Sequence, residues 1–350
     1  MTATPASISI VALWDGVNTA RYFESAATSR CGLVRRRNSP PAPAECDTEV
    51  VMVVDPLFTH PDRLRCAPCP TVGILIDVHQ ELTLRRAYAR YFDHVFVAQP
   101  SFLQAIESVG HPSVHALPLA CDPAVHYVPG LARDIDVAFI GKLGALGSDR
   151  HDVLIRVLTS FNTNNFRRAY SPSEMGEVYS NAKIVFNKSI RRDVNMRFFE
   201  GLASGALLVT DRVGNELSDL ATEGVHFVGY QTADEAIEKI RYYLAHAAKR
   251  EMIARAGQAL AFERHSYAAR LETIFAVLKS RPCAKAPARA ASSREELQFR
   301  TECLRIQGAH LRDAALVLAE GHWSGESLSN IATAAARGIV RPLRQRFHSR

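Results

Sequence analysis

The chain has 350 residues, of which 47% are hydrophobic and 22% charged, as in ordinary folded proteins and unlike disordered ones. This length is sufficient for two domains with separate cores. The formal net charge of +6 lies at one end, because residues 281–350 contain 12 Lys/Arg and 6 Asp/Glu while the other 280 residues contain 30 of each sign. A duplex-binding domain needs a basic stripe on its folded body, so this distribution argues against nucleic acid as a partner.

The sequences of the two ends of the chain predict a first strand at one end and a basic tail at the other. Residues 1–16 lack a basic start and contain only a short apolar run, which predicts a first strand and not a signal peptide. No uninterrupted apolar segment approaches the roughly 20 residues that a membrane-spanning helix needs, so we expect a cytoplasmic protein. Residues 281–350 form a linker followed by a basic helical tail, which leaves open a weak contact with a membrane surface or an acidic partner.

The first part of the chain alternates short apolar runs with amphipathic segments. Helices are predicted at 19–28 and 82–92, a surface loop at 38–45, and buried strands at 8–13, 49–55, 71–77, 94–98 and 114–119. Strands that alternate with helices at this spacing predict a parallel, doubly wound sheet.

The second part repeats this pattern after a hinge at residues 129–134. Strands are predicted at 136–140, 183–187, 206–211 and 225–230, and helices at 152–161, 233–246, 249–258 and 267–279. Ser171-Pro172-Ser173-Glu174 is a capping box with proline at the first helical position. We therefore predict an N-terminal domain at 1–130, a second domain at 131–280 and a tail at 281–350.

The seven cysteines are odd in number and scattered, which does not indicate a disulfide framework. Cys66-Ala-Pro-Cys69 has the spacing of a thioredoxin-type redox pair. Such a pair follows a strand and opens a helix, whereas this one precedes a predicted strand. No second pair or nearby His pair completes a zinc site, so we expect structural roles.

A glycine-containing loop follows the first strand of the second domain. Gly141, Gly144 and Gly147 lie between this strand and the next helix, together with Lys142 and Arg150. Glycines at such a position let backbone amides approach a diphosphate at a helix N-terminus. The loop matches neither GxGxxG nor a Walker motif, and the alternative for Lys142 and Arg150 is a solvated loop charge.

Polar residues are also concentrated between the strands at 183–187 and 206–211. Asn187 ends the first of these strands, and Arg197 and Glu200 follow it on a predicted helix. A carboxylate in the apolar run RFFEGLASGALLV is costly unless it has a partner. Glu200 is predicted either to pair with Arg197 on the same helix or to accept hydrogen bonds from the hydroxyls of a bound sugar.

The segment MRFFEGLASGA resembles the donor-binding region of GT-B glycosyltransferases of the group 1 type, most closely the CgeB-like (spore maturation protein) branch. The residues that carry this pattern are Met196, Arg197, Phe199, Glu200, Ala203, Gly205 and Ala206. The resemblance implies that Glu200 binds the ribose of a nucleotide sugar and that Arg197 and Gly205 belong to the donor site. Asn187 is assigned to the same site because it lies at the carboxyl end of a predicted parallel strand. The wider group carries a second glutamate eight residues earlier, where this chain has Arg192, which leaves retaining chemistry open.

A second resemblance to the same branch lies in the N-terminal domain, in the strand that ends at Asp77-Val78-His79 and in the later run LPLACDP. It implies that His79 lies near the transferred sugar, with Asp77 orienting it or acting as the base. An imidazole there can act as acid or base near neutral pH. The resemblance also implies that Gly141 and Lys142 face the diphosphate of the donor. Arg150 matches the arginine that opens the next helix in this branch and is assigned to the donor site.

Together these features predict an α/β protein of the GT-B class, with two doubly wound Rossmann-like domains facing across a cleft and a helical C-terminal extension. The predicted activity is that of a hexosyltransferase that moves a sugar from a nucleotide-diphosphate sugar to an unknown glycan, protein or small-molecule acceptor. We identify no DxD metal motif and no cofactor, so Lys142, Arg197 and helix-end amides are expected to neutralise the leaving group. The alternatives are a catalytically inactive nucleotide-sugar-binding or recruitment protein, or another enzyme class on a similar fold.

Overall fold

The computed structural model describes residues 4–14, 18–55, 62–80, 82–190, 193–214 and 216–281. These residues form two compact units. The first unit comprises residues 4–14, 30–117 and 275–281, and the second comprises residues 18–29 and 118–274. The predicted helical tail lies outside the described residues beyond Arg281.

The first unit is built on a six-stranded sheet in which all neighbouring strands are parallel. In chain order its strands are β1 (Ser7–Val11), β2 (Leu33–Arg37), β3 (Val50–Val54), β4 (Thr71–Leu75), β5 (His94–Val97) and β6 (Val114–Ala116). Their spatial order is β2-β1-β3-β4-β5-β6. The helices are α2 (Asp62–Arg65), α3 (Leu82–Ala89) and α4 (Leu103–Glu107), with 3-10 turns at Pro43–Glu45 and Pro100–Phe102.

The central strands of this sheet are buried along their whole length, as expected for parallel strands covered on both faces. Val53, Leu75 and Tyr88 belong to the core beside them. Phe92 packs so closely over β4 that a Cβ at Gly73 would lie 2.6 Å from its ring. Only glycine fits beneath that ring.

The second unit contains a four-stranded parallel sheet in the order β10-β9-β8-β7. Its strands are β7 (Ile135–Ala138), β8 (Ala182–Asn187), β9 (Leu207–Asp211) and β10 (Val228–Tyr230). Its longer helices are α1 (Ala20–Thr28), α6 (Asp149–Leu158), α7 (Pro172–Ser180), α8 (Met196–Ala203), α10 (Ala233–Ala245), α11 (Ala247–Arg264) and α12 (Tyr267–Ser280). The short helices are α5 (Pro123–His126) and α9 (Glu216–Leu220).

The predicted α/β class with two parallel sheets is confirmed. The capping box is also present: the Ser171 amide donates to Glu174 Oε2 at 2.7 Å, and the Glu174 amide donates to Ser171 Oγ at 3.3 Å. One strand was missed, because β2 has the sequence LVRRR and lies at the sheet edge, where its side chains remain partly exposed. The helix predicted at 249–258 is longer than expected and runs over Ala247–Arg264.

The compact units do not follow the predicted domain limits of 1–130, 131–280 and 281–350. Those limits remain a prediction. Helix α1 groups with the second unit, although it lies early in the sequence. The residues of α12 from 275 onward group with the first unit. Both assignments depend on packing between residues far apart in sequence.

Cys69 contacts a cysteine outside the Cys66-Ala-Pro-Cys69 spacing. Cys46 Sγ lies 3.2 Å from Cys69 Sγ, and both side chains are half-buried against the core of the first unit. Cys66 is exposed, and the described cysteines are free thiols. Within the described residues, no helix is both long and apolar enough to cross a bilayer.

Candidate functional site

The carboxyl edge of the second unit's sheet gathers buried polar side chains. β7 leads into the glycine-containing loop, β8 ends at Asn187 and β9 ends at Asp211. Asn187, Ser189 and Asp211 are all buried. In a parallel sheet this edge forms the crevice that binds ligands.

Asp211 organises the loop that follows β8. Its carboxylate accepts hydrogen bonds from the Ser189 amide at 2.8 Å and from Ser189 Oγ at 2.7 Å. Lys188 Nζ lies 3.6 Å from the same carboxylate and 3.2 Å from Asp149 Oδ2. These donors satisfy a buried charge. Sequence reasoning treated Asp211 only as the end of a strand.

Asn187 connects the end of β8 to the start of α8. Its Nδ2 donates to Thr210 Oγ1 at 3.0 Å, and its Oδ1 accepts from Asn195 Nδ2 at 3.2 Å and from Arg197 Nη1 at 2.9 Å. Asn195 is the N-cap of α8 and accepts from the Phe198 amide. The first turn of α8 is therefore fixed relative to the strand ends.

Arg197 joins this turn to the loop after β7. Its Nε donates to the Ile140 carbonyl at 2.7 Å, and its guanidinium lies 4.6 Å from the ring centroid of Phe139. Gly141 has a φ of 148°, and a Cβ there would collide with Arg197 Nη2. Gly141 thus permits a close approach that any other residue would block.

Arg150 and Lys142 differ in exposure and in hydrogen bonding. Arg150 is buried and donates to the carbonyls of Lys142, Lys188 and Ser189, so it ties two loops together. Burial lowers the pKa of its guanidinium to about 10. The Lys142 side chain is exposed on the loop. The structure thus gives Arg150 a tethering position and leaves Lys142 accessible to an anion.

Glu200 lies on α8, one helical turn after Arg197, and is only 8% exposed. Burial raises the pKa of its carboxyl to about 7, and the nearby Arg197 charge partly opposes this rise. Arg197 donates to Ile140 and Asn187 and also interacts with the Tyr179 hydroxyl, and none of these contacts involves Glu200. Within the part of the chain that the structure describes, no donor makes a hydrogen bond to the Glu200 carboxylate, which leaves it able to accept from a ligand.

Three aromatic side chains near Glu200 were missed by sequence reasoning. His126 Nε2 lies 4.0 Å from Glu200 Oε1, and the Tyr22 ring lies 5.1 Å from the His126 ring and 5.3 Å from Tyr267. They come from α5, α1 and α12, so only the folded chain brings them together. The Asp122-Pro123 pair indicates a helix start but carries no sign that His126 would reach Glu200.

Gly205 lies at the opposite end of α8 from Arg197. Its φ of 69° ends the helix, and a Cβ there would lie 2.7 Å from Gln258 Nε2. A helix of this length rises about 12 Å, and Gly205 leads into the amino end of β9. The structure therefore does not bring Gly205 to the carboxyl edge with Arg197 and Asn187.

Asp77 and His79 belong to the first unit and lie in the turn after β4. Asp77 has a φ of 51° and accepts a long hydrogen bond from Gln80 Nε2 at 3.4 Å, and His79 is half-buried. Asp55 follows the neighbouring β3 with a φ of 47° and pairs with Arg85 at 2.5 Å. The catalytic roles of Asp77 and His79 remain predictions.

The chain does contain one DxD triplet, contrary to the prediction that it has none. Asp134-Ile135-Asp136 has this spacing. It stands at the amino end of β7, where Asp136 pairs with Lys183 at 2.6 Å. This is the edge of the sheet opposite to the candidate site, so the triplet does not serve that site as a metal ligand.

Residues 131–276 match the family described as glycosyl transferase-like. Among solved structures, the chain resembles Alr3699/HepE of Anabaena in complex with UDP-glucose, with a TM-score of 0.60 and 14% identity over 79% of this chain and 100% of that one. It also resembles a glycosyltransferase from Rickettsia africae (TM-score 0.55, 10% identity, 78% and 98% covered). A third is sucrose-phosphate synthase from Thermosynechococcus elongatus (TM-score 0.54, 11% identity, 78% and 98% covered). No curated protein sequence is significantly similar to the chain.

Proposed function

We propose that this chain, which has the fold of GT-B glycosyltransferases and a glycosyl transferase-like match over residues 131–276, transfers a sugar from a nucleotide-diphosphate sugar to an acceptor. One observation carries the proposal. Glu200 is a buried carboxylate with unused acceptor capacity, and it lies one turn along α8 from Arg197, which packs against the glycine-containing loop.

Each group at the carboxyl edge has a distinct proposed role. Glu200 accepts hydrogen bonds from the ribose hydroxyls of the donor. Arg197 uses Nε and Nη1 within the protein, and its Nη2 lies beside Gly141, where it can reach a diphosphate. Lys142 supplies a second, exposed cation, and positive groups placed where charge develops stabilise the leaving diphosphate. Asn187 and Arg150 hold the loops in place.

The finer details are also proposals. We propose that His79 and Asp77 act at the reacting carbon, that the enzyme is a cytoplasmic hexosyltransferase of the CgeB-like branch, and that it uses no metal. Positive side chains at the carboxyl edge support metal-independent stabilisation of the leaving group. The complexes of Alr3699/HepE with UDP and UDP-glucose make UDP the first nucleotide to test.

A catalytically inactive nucleotide-sugar-binding protein is the second candidate. Arg192 stands where the wider group carries its second glutamate, and this departure favours the alternative. Both candidates predict nucleotide binding at Glu200. Hydrolysis or transfer of UDP-glucose against an acceptor panel distinguishes them, because only the enzyme releases UDP.

The test is UDP binding by calorimetry, preceded by thermal shifts with UDP, GDP, ADP, CMP and TDP, since a ligand that binds only the native state raises its melting temperature. Replacing Glu200→Gln removes a charged acceptor and should weaken binding by about 10- to 100-fold. Glu238→Gln, at an exposed position on α10, is the matched control and should bind like the wild type. Equal affinity in both variants would remove Glu200 from the site.

A further inference from the structure

Glu200 has a polar neighbour that the proposed function does not use. His126 is fully buried, and its Nε2 lies 4.0 Å from Glu200 Oε1. His126 comes from α5 and Glu200 from α8, so two separate elements bring these groups together. This distance is slightly too long for a hydrogen bond, and a small rotation of the carboxylate closes it.

The tautomer of His126 follows from its other ring nitrogen. Nδ1 accepts the Asp122 backbone N–H at 2.9 Å, which requires a lone pair on Nδ1 and places the proton of the neutral ring on Nε2. Burial lowers the pKa of His126 to about 4, so the ring stays neutral near pH 7. A neutral N–H donor therefore lies on the side of the ring nearest to Glu200.

Among the described residues, none makes a hydrogen bond to this buried Nε2 atom. Buried donors are satisfied in the great majority of cases, and an exception calls for an explanation. The Tyr22 ring packs 5.1 Å from the His126 ring and holds it in place. The unsatisfied donor and the unsatisfied carboxylate face each other.

We propose that His126 is a positioning residue for Glu200, whose Nε2–H holds one carboxylate oxygen so that the other faces the ribose hydroxyls of the bound nucleotide. This proposal rests on the function proposed above for Glu200. In the ligand-free protein a small rotation of the ionised carboxylate shortens the N–H···O contact, and this contact stabilises the ionised form. Asp122 acts indirectly, by fixing which nitrogen of His126 carries the proton.

Other groups also act on the Glu200 charge and remain constant in the test. Arg197 on α8 favours the ionised form. Burial raises the pKa of the tyrosines and the thiol around the carboxylate, and its charge raises them further. These surrounding groups are Tyr22 on α1, Cys121 before α5, Tyr179 on α7 and Tyr267 on α12.

Two substitutions separate the donor from the packing of the ring. The amide nitrogen of glutamine can occupy the place of Nε2, so His126→Gln retains a donor toward Glu200. The side chain of asparagine can replace Nδ1 as the acceptor for Asp122 but does not reach Glu200. Both variants lose the aromatic ring, so a difference between them cannot come from the loss of the ring.

The experiment follows the Glu200 carboxyl by ¹³C NMR in the protein without ligand, with Glu200→Gln used to assign the signal. In His126→Asn the titration midpoint should rise by about one pH unit, and in His126→Gln it should stay near the wild-type value. UDP affinity at pH 7 should fall by about tenfold in His126→Asn and recover in His126→Gln. Equal midpoints in all three proteins, or equal shifts in both variants, would overturn the proposal.

The ligand-free titration also separates the two hypotheses. If the wild type does not bind any of the five nucleotides, the proposed function fails, yet the midpoints still show whether His126 acts on Glu200. If UDP binds and depends on Glu200 while the midpoints do not respond to His126, only the positioning role fails.

Discussion

The carboxyl edges of the two sheets are stabilised in different ways. In the second unit, side chains from β8, β9 and α8 are joined by hydrogen bonds, with Asn187 and Asp211 at the centre. In the first unit, the ends of β3 and β4 carry aspartates in the left-handed region, Asp55 with a φ of 47° and Asp77 with a φ of 51°. Non-glycine residues there cost about 1–2 kcal/mol each.

This difference shows how each edge can hold a ligand-binding group in position. A network of buried donors and acceptors fixes Arg197 and the first turn of α8 before any ligand binds. At the edge of the first unit, the direction of Asp77 is set mainly by its backbone, because its described side-chain hydrogen bond is the long contact to Gln80. Substitutions should therefore affect stability most in the second unit.

The largest expected effect comes from Arg150→Met. This change leaves the carbonyls of Lys142, Lys188 and Ser189 without a buried donor, so we expect a loss of about 3–5 kcal/mol in the free energy of unfolding. Urea unfolding followed by circular dichroism measures it. Arg255→Met, at an exposed position, is the control and should change stability by less than about 0.5 kcal/mol. A loss below 1 kcal/mol for Arg150→Met would mean that the network is not what stabilises this edge.

The second effect is a dependence of stability on pH that comes from Glu200. Its carboxyl has a pKa raised from 4.5 to about 7 in the folded protein, so between these values the folded state binds more protons than the unfolded state. Stability should therefore fall as pH rises through this window, by at most about 3 kcal/mol.

Comparison with Glu200→Gln isolates this contribution. The buried histidines have lowered pKa values and act in the opposite sense, but they are common to both proteins. The wild type should lose stability relative to Glu200→Gln between pH 5 and 8. Parallel stability curves for the two proteins would show that Glu200 is ionised throughout this range.

Much of the fold could be predicted from the sequence, because buried parallel strands are continuous apolar runs with helices between them. β2 could not be predicted in this way, because the sequence of this edge strand, LVRRR, is not a continuous apolar run. At the site, Asn187, Arg197 and Glu200 were identified because polar residues followed a strand or interrupted an apolar run. The contacts of His126, Tyr22 and Asp211 depend on residues far away in sequence, and no local pattern encodes them.

The third effect concerns the close approach at Gly141. Gly141→Ala places a methyl group against the Arg197 guanidinium at a φ of 148°, so we expect a loss of about 1–2 kcal/mol and weaker UDP binding. Gly147→Ala is a matched control, because Gly147 lies in the same loop with a φ of 76° and a Cβ added there would meet no atom within 4 Å. It should lose stability through backbone strain alone and keep its UDP affinity. Equal UDP affinities for both variants would show that Arg197 does not contribute to UDP binding.

The smallest expected effect is at Asp77. It tests whether the left-handed backbone conformation, and not a side-chain contact, determines the position of this residue. Asp77→Gly relieves the cost of a φ of 51° and should stabilise the protein by up to about 1 kcal/mol, while it removes the carboxylate. Asp77→Asn keeps a side chain of the same size that tolerates this backbone conformation, so its stability should stay near that of the wild type. If Asp77 takes part in sugar transfer, both variants lose turnover of UDP-glucose although one is more stable than the wild type. Full turnover in Asp77→Gly would show that the left-handed turn, and not the carboxylate, is what this edge of the first unit requires.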